Sequence, residues 1–382
     1  MLHKSDIAIV GGGVIGSAIA WFASQLTASV TLIDRGQVGT FGATSVSKGL
    51  LRVYDPDPVL ADLGRAAIKF YLDWPVIQLG ASPTHHCGLI YRLKPQHVVY
   101  AQTFVAKHCT DQYPIALSRF AEMKEHYPQL QWRPDDWVIH EPLGGYGDPV
   151  ATARGFAQGA VKNGVKLLER MPVTGVREEK DGYWIVASPV GEVRARVVIV
   201  AGGALSVEVL RGLSLQTRTI AIPKFRSKQE VVGHAAIDEI AGTYLRPTSV
   251  HSVVAGSQIH SFSDWRSVTD TASELQQADA HLRLRSSMSG TFLDSNQNGS
   301  QGFDGYTPDL RPLLGSIHHG SGLIAATGFS GRGYKMAPAI GSRVAHELVE
   351  SYGFSGEPHS LGIDGSLDAL APMRFAGGSP CL

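Results

Sequence analysis

The 382 residues carry 34 basic and 34 acidic side chains, a balance that gives no net field to recruit nucleic acid or an anionic membrane surface. Hydrophobic content of 43% with 43 glycines describes a turn-rich globular chain, and no apolar run approaches the about 20 residues that span a bilayer. Three cysteines make no disulfide framework; with a strand expected within a few residues of the N-terminus, the cytoplasm is the expected compartment.

Ile7, Ala8, Ile9 and Val10 form a short apolar run of the kind required by a parallel strand buried on both faces. Gly11, Gly13 and Gly16 follow at the spacing of a dinucleotide-binding turn. Gly11 permits the sharp turn, Gly13 lets backbone approach a pyrophosphate, and Gly16 lets helix and strand pack closely. The pattern predicts a helix over residues 17–26, with amides and a dipole that favour a diphosphate at its start. A second strand over 29–33 ends on Asp34, about 20 residues beyond the turn, where a carboxylate accepts from ribose hydroxyls and repels a 2′-phosphate.

Residues 41–52 read as a loop of small side chains able to pass close to a flat ligand. A helix is predicted over 58–74, with Leu60, Leu63, Ala67, Phe70 and Tyr71 on one face. Residues 84–140 lose the strand–helix alternation and read as an insertion. The alternation resumes with a helix over 149–163, strands over 165–168 and 196–200, and Ala201-Gly202-Gly203. Mixed strands and loops occupy 215–300. A second glycine-rich segment, from Gly328 through Gly331, Arg332, Gly333, Tyr334 and Lys335, precedes a helix predicted over 337–349. Two such segments at opposite ends imply that the chain returns to one ligand, which favours a flavoprotein over a nicotinamide dehydrogenase. His85-His86-Cys87 lacks acidic or thiol partners at ligand spacing, so no metal is expected. His318-His319 reads as a solvated turn, and Ser330 has no nucleophile-elbow context.

On these residues the chain resembles the D-amino-acid oxidase-like FAD-dependent oxidoreductases, especially the sarcosine oxidase, glycine oxidase and proline dehydrogenase β-subunit branch. The resemblance runs through five ordered segments, residues 11–34, 42–52, 148–203, 306–315 and 328–341, with 370–375 similar to the family's closing stretch. It implies an α/β (α+β) fold. A Rossmann-like FAD-binding domain (1–80, 145–215 and 303–355) would be interleaved with a mixed-sheet substrate domain (81–144 and 216–302), and 356–382 would form a C-terminal tail.

The resemblance assigns FAD contacts to Gly11, Gly13, Gly16, Asp34, Arg35, Thr44, Ser45, Val173, Ala201, Gly202, Gly331, Arg332, Gly333, Tyr334 and Lys335. Val173 would lie beside the adenine, and the amides of 331–335 would meet the flavin pyrimidine edge. Gly302 stands where some sarcosine oxidases attach flavin through cysteine, so FAD is expected to be noncovalent. Arg52 and Lys335 match positions that bind a substrate carboxylate in sarcosine oxidase-like relatives; Arg supplies a planar donor fork and Lys a point charge.

Three departures stand out. Arg332 replaces the histidine of the usual Gly-Phe-Ser-Gly-His-Gly turn. Asp304 replaces an active-site tyrosine and is expected to hold a cationic substrate group, to accept the ammonium proton, or to stand as a solvated loop acid. The oxygen-activating lysine has no counterpart near residues 253–256. The implied activity is oxidation of the C–N bond of an amino acid or N-substituted amino acid by hydride transfer to flavin N5, giving an imine. Oxygen or another carrier would reoxidise the flavin. The implied partner is a small amine or amino acid, with no nucleic acid and no membrane span. Two alternatives stay open: a flavoprotein that modifies a residue or base of a macromolecule, and a flavin-binding subunit of a larger dehydrogenase complex.

Overall fold

The computed structural model describes residues 2–231, 233–262, 264–294, 300–318, 320–363 and 368–375. His319, Cys381 and the end of the expected tail lie outside the described residues.

The N-terminal apolar run becomes the centre of the parallel part of an eight-stranded mixed sheet, which also contains antiparallel pairs. Strand β1 (Leu2–Val10) leads through the glycine turn into helix α1 (Val14–Ala23) and then strand β2 (Val30–Ile33). A short helix α2 (Gly42–Val46) and a longer helix α3 (Pro58–Leu72) follow. After the inserted segment come helix α4 (Pro149–Lys162), strand β3 (Gly191–Val200), strand β4 (Leu323–Thr327) and helix α5 (Gly333–Tyr352). β1 lies between β2 and β3, parallel to both, with Val10 opposite Ile33 and Val200. β4 extends the sheet beyond β3 in parallel register. The stretches 7–10 and 197–200 are buried, as continuous apolar strands covered on both faces should be.

Helices α1, α3, α4 and α5 interlock through aromatic side chains. Trp21 meets Phe70 edge-on at 5.4 Å, and Phe70 stacks on Phe156 at 5.7 Å. The α1–α5 crossing depends on Gly341, where a Cβ would lie 3.0 Å from the Ala18 carbonyl oxygen.

A second eight-stranded sheet draws its strands from 89–141 and 224–294. Ala235–Asp238 pairs in parallel with Leu89–Arg92, whereas its other neighbour, Thr243–Ser249, is antiparallel, so the sheet is mixed. Ile90, Val138, Phe225, Leu245 and Val253 fill its core. The separate antiparallel pair Gln216–Ile222 and Ser300–Tyr306 sets Arg218 opposite Asp304. Among the described residues, no helix is long and apolar enough to cross a membrane.

Three local expectations shift. Helix α1 starts at Val14 rather than residue 17, because the Val14 N–H donates to Thr44 Oγ1 at 3.1 Å, a cap supplied from thirty residues away. Residues 41–52 are not all loop: α2 occupies Gly42–Val46, and Leu50–Leu51 pairs with Tyr146 and Gly145. Helix α5 starts at Gly333, four residues earlier than predicted, with Pro338 inside it. Proline has no N–H for the carbonyl four residues back. That carbonyl, of Tyr334, instead accepts a 2.6 Å hydrogen bond from the buried Tyr71 hydroxyl of α3. A tertiary donor replaces the missing helical one.

Candidate active site

Both glycine-rich segments line one elongated cavity of about 970 Å³, near the upper end for small-molecule sites and roomy enough for a dinucleotide with a second ligand. At one end stand Asp34, Arg35 and Val173; at the other, Arg52, Arg332 and Lys335.

The nucleotide end is built from backbone. Gly11 has φ +111°, and a Cβ there would come within 2.4 Å of the Ala201 carbonyl oxygen. Gly16 is tighter still: its Cβ would lie 1.8 Å from the Gly11 carbonyl oxygen. Gly16 therefore packs beneath the turn and is not among the cavity-lining residues. Asp34 accepts from the Gly12 N–H at 2.6 Å and the Gly36 N–H at 2.7 Å, so its carboxylate braces the turn from the next strand. Burial pushes its carboxyl upward, against those two donors. Thr44 lines the cavity while capping α1. Ser45 does not line it: that side chain is exposed and its hydroxyl donates to the Gly42 carbonyl at 2.8 Å. Arg35 lies 4.5 Å from the Trp265 ring and 4.9 Å from the Phe41 ring, a cation between two aromatic faces.

At the opposite end the second glycine turn is clamped to the neighbouring strand. Asp304 accepts from Gly331 N–H at 2.8 Å with one oxygen and from Gly305 N–H at 2.7 Å with the other. Burial raises its carboxyl, with the two N–H donors opposing. An acid expected to meet a substrate cation is thus engaged on both oxygens by backbone. Ser330 adopts φ +50° and its hydroxyl accepts from Thr307 N–H at 3.2 Å, which fastens the same turn again. The amides of Gly331 and Arg332 are consumed by Asp304 and by the Phe329 carbonyl. The N–H groups left open beside the cavity are those of the first turn of α5, at Gly333, Tyr334 and Lys335, which have no partner within the helix. Tyr334 turns its own hydroxyl away, toward Thr152 at 3.1 Å.

Arg52, Arg332 and Lys335 converge on a carboxylate that the sequence reading missed. Asp55 Oδ2 receives Lys335 Nζ at 2.9 Å, Arg332 Nε at 3.1 Å and Arg52 NH1 at 3.5 Å. Asp55 is fully buried and is not among the cavity-lining residues, so it holds the three cations from behind. Burial works to raise its carboxyl, but Lys335, Arg332 and Arg52 outweigh burial and hold it well below the usual carboxylate range. Lys335 is lowered to about 7, by burial first and then by Arg52, with Asp55 opposing. The segment bearing Arg52 and Asp55 is itself pinned from the second sheet. Buried Glu141 accepts from Val53 N–H at 2.6 Å, Tyr54 N–H at 2.9 Å and the Tyr113 hydroxyl at 2.7 Å.

Other cavity residues were not among the expected site residues, although Lys48 and Tyr306 lie within segments that carry the family resemblance. Tyr91, Ile220, Ile222, Tyr244 and Tyr306 wall the reactive end. Tyr244 lies flat against Gly256, where a Cβ would meet its ring at 2.7 Å. Tyr306 is pushed up to about 12 by burial and then by Asp304. Lys48 also lines the cavity and is lowered to about 8, by burial and then by Arg246 and Lys224. Asp55 stands three residues from Arg52, but nothing local marks it as buried. Among the described residues, no group of three or more His, Cys, Asp or Glu side chains is arranged to hold a metal.

The donor set suits a flavin dinucleotide. Side-chain-free backbone at Gly11, Gly13 and Gly202 floors the middle, a carboxylate stands at one end, and open helix amides with nearby cations occupy the other.

Comparison with known proteins agrees. The family model described as "DAO: FAD dependent oxidoreductase" matches residues 6–347. Glycine oxidase of Geobacillus kaustophilus is 24% identical over 92% of this chain and 94% of its own length. Human mitochondrial dimethylglycine dehydrogenase is 26% identical over 57% of this chain, a match that spans only 25% of that longer protein. The crystal structure of L-proline dehydrogenase from P. horikoshii superposes with a TM-score of 0.81 at 21% identity, covering 98% of this chain and 99% of that one.

Proposed function

We propose that this chain, which belongs to the DAO family of FAD-dependent oxidoreductases, oxidises the C–N bond of an amino acid or N-substituted amino acid. The observation that carries this reading is the cation cluster on Asp55, which opens into the same cavity as the dinucleotide turn. A carboxylate binds there by charge-assisted hydrogen bonds from Arg52 and Lys335. Tyr244, Ile220 and Ile222 enclose the remainder of the substrate and exclude water. With its carboxylate held, the substrate turns a fixed face toward the cofactor edge, and orientation supplies much of the rate. When bound, FAD supplies the acceptor for the hydride equivalent that leaves the α-carbon. The resulting imine is then hydrolysed by water.

FAD would be held by the turn at Gly11–Gly16, by Asp34 and Thr44, and by the first-turn amides of α5. Noncovalent binding is supported by Gly302, which offers no thiol and faces Val46 at a spacing that would leave a Cβ only 2.6 Å away. We assign Asp304 to positioning the Gly331 turn. The two large sheets support the division into 1–80, 145–215 and 303–355 against 81–144 and 216–302. Cys87 and Cys109 are free thiols, which supports a reducing compartment such as the cytoplasm. Reoxidation by oxygen or another carrier completes the cycle.

The test is a visible spectrum of the purified protein followed by anaerobic addition of α-amino and N-alkyl amino acids. Bleaching of a bound flavin by at least one of them is expected. A flavin that none of them reduces would overturn the reading.

A further inference from the structure

The geometry points to a substrate that carries two carboxylates, one met by Arg52 with Lys335 and the other by Arg332. This rests on the amino-acid reading above and narrows it to acidic or N-carboxyalkyl amino acids.

Three cations share one buried carboxylate. Asp55 has no capacity to spare, because its Oδ2 serves all three and its Oδ1 accepts from the Asp57 N–H at 3.1 Å. The neighbouring acids are committed elsewhere. Glu141 holds the backbone of Val53 and Tyr54, Asp57 pairs with Arg311 at 2.5 Å, and Asp304 is closed by two glycine amides. Of the acids in the cavity wall, Glu239 is held by the Lys94 N–H, the Tyr91 hydroxyl and His97, and Asp238 by Arg92 and the Ser287 hydroxyl. With Lys335 protonated, two positive charges therefore remain uncompensated by these side chains at the reactive end of the cavity. The isoalloxazine ring of an oxidised flavin is neutral and answers neither. A reactive amine is also neutral, so a monocarboxylate would leave one cation of the cluster, the half-buried Arg332, unmatched, whereas a dicarboxylate matches both.

The donors are available as well as the charge. Arg52 lines the cavity and gives one terminal nitrogen to the Tyr54 carbonyl, whereas its Nε is buried out of a ligand's reach, so the guanidinium meets a ligand through its terminal nitrogens. Arg332 spends Nε on Asp55 and NH1 on the Leu310 carbonyl, leaving its other terminal nitrogen without a hydrogen-bond acceptor among the described residues. Its side chain is 22% exposed against 12% for Arg52 and 3% for Lys335, so it is the most open of the three. The lowered pKa of Lys335 reflects this crowding in part, and a second anion would relieve it.

The holoenzyme is titrated with succinate and with butyrate, matched in carbon count, while the flavin absorbance is followed. Succinate is expected to bind at least about tenfold tighter, with the ratio collapsing toward one in Arg332→Gln and partly restored in Arg332→Lys. Equal affinities in the unmodified enzyme, which needs no variant to fold, would overturn the inference. So would a ratio that survives Arg332→Gln. In parallel, N-carboxymethyl and N-methyl amino acids are compared as anaerobic reductants. Faster reduction by the N-carboxymethyl series supports the inference. Equal or faster reduction by the N-methyl series removes it and leaves the amino-acid reading standing. No reduction by either series removes both.

Discussion

The two ends of the cavity are built on opposite principles. The nucleotide end is made of backbone packed against backbone: Gly16 sits under the Gly11 carbonyl and Gly11 under that of Ala201, with no room for one additional carbon. The reactive end is made of side-chain charges brought from distant segments and held by buried carboxylates, Asp55 beneath the cations, Asp304 beneath the glycine turn and Glu141 beneath the segment that carries Arg52. Steric construction of this kind tolerates no added carbon, whether the facing backbone is local, as at Gly16, or distant, as at Gly11 against Ala201. Electrostatic construction can be altered residue by residue, which suits the end of the site that must distinguish substrates.

The contrast can be broken by mutation. Gly16→Ala places a Cβ 1.8 Å from a backbone oxygen and is expected to cost about 3 kcal/mol or more; the measurement is FAD content per chain together with the thermal midpoint, both of which should fall. Asp55→Ala leaves three cations facing one another, and loss of one member of a buried ionic cluster costs about 3–5 kcal/mol. Chemical denaturation should show that loss in a protein that still takes up FAD. Tyr71→Phe removes the donor to the Tyr334 carbonyl inside α5, and an orphaned buried acceptor costs about 1–3 kcal/mol, to be read from the same denaturation curves.

The smallest effect is one of pH. Lys335 is lowered to about 7, by burial and then by Arg52 and Arg332, with Asp55 opposing. It is therefore charged below that pH and loses its proton above it. Affinity for a carboxylate inhibitor should decline several-fold as pH rises through about 7, and the bound ligand should shift the midpoint upward. A flat titration between pH 6 and 8 would remove Lys335 from the anion site.

The same contrast explains what was legible in the sequence. The Gly11–Gly13–Gly16 spacing and the acid at 34 are local consequences of backbone geometry, and the parallel sheet around β1 followed from them. Arg52 and Lys335 could be placed because each adjoins a glycine-rich turn. Asp55 could not, since an acid becomes the centre of a cluster only once residues 280 positions apart have met. Asp304 was visible as an unusual residue, but not the two amides that occupy it. The resemblance assigns both Thr44 and Ser45 to the cofactor set, whereas α2 turns Ser45 to the surface. The early start of α5 was hidden by Pro338, whose tolerance depends on a hydroxyl contributed by another helix.

The most direct test of this division of labour is Arg52→Gln, assayed for FAD occupancy and carboxylate affinity in one preparation. Loss of a charge-assisted hydrogen bond to a ligand carboxylate is worth about 1.5–3 kcal/mol, or roughly 10- to 100-fold in Kd. The expected result is full FAD occupancy with carboxylate binding weakened by that factor. Unchanged carboxylate affinity, or loss of FAD together with it, would contradict the account.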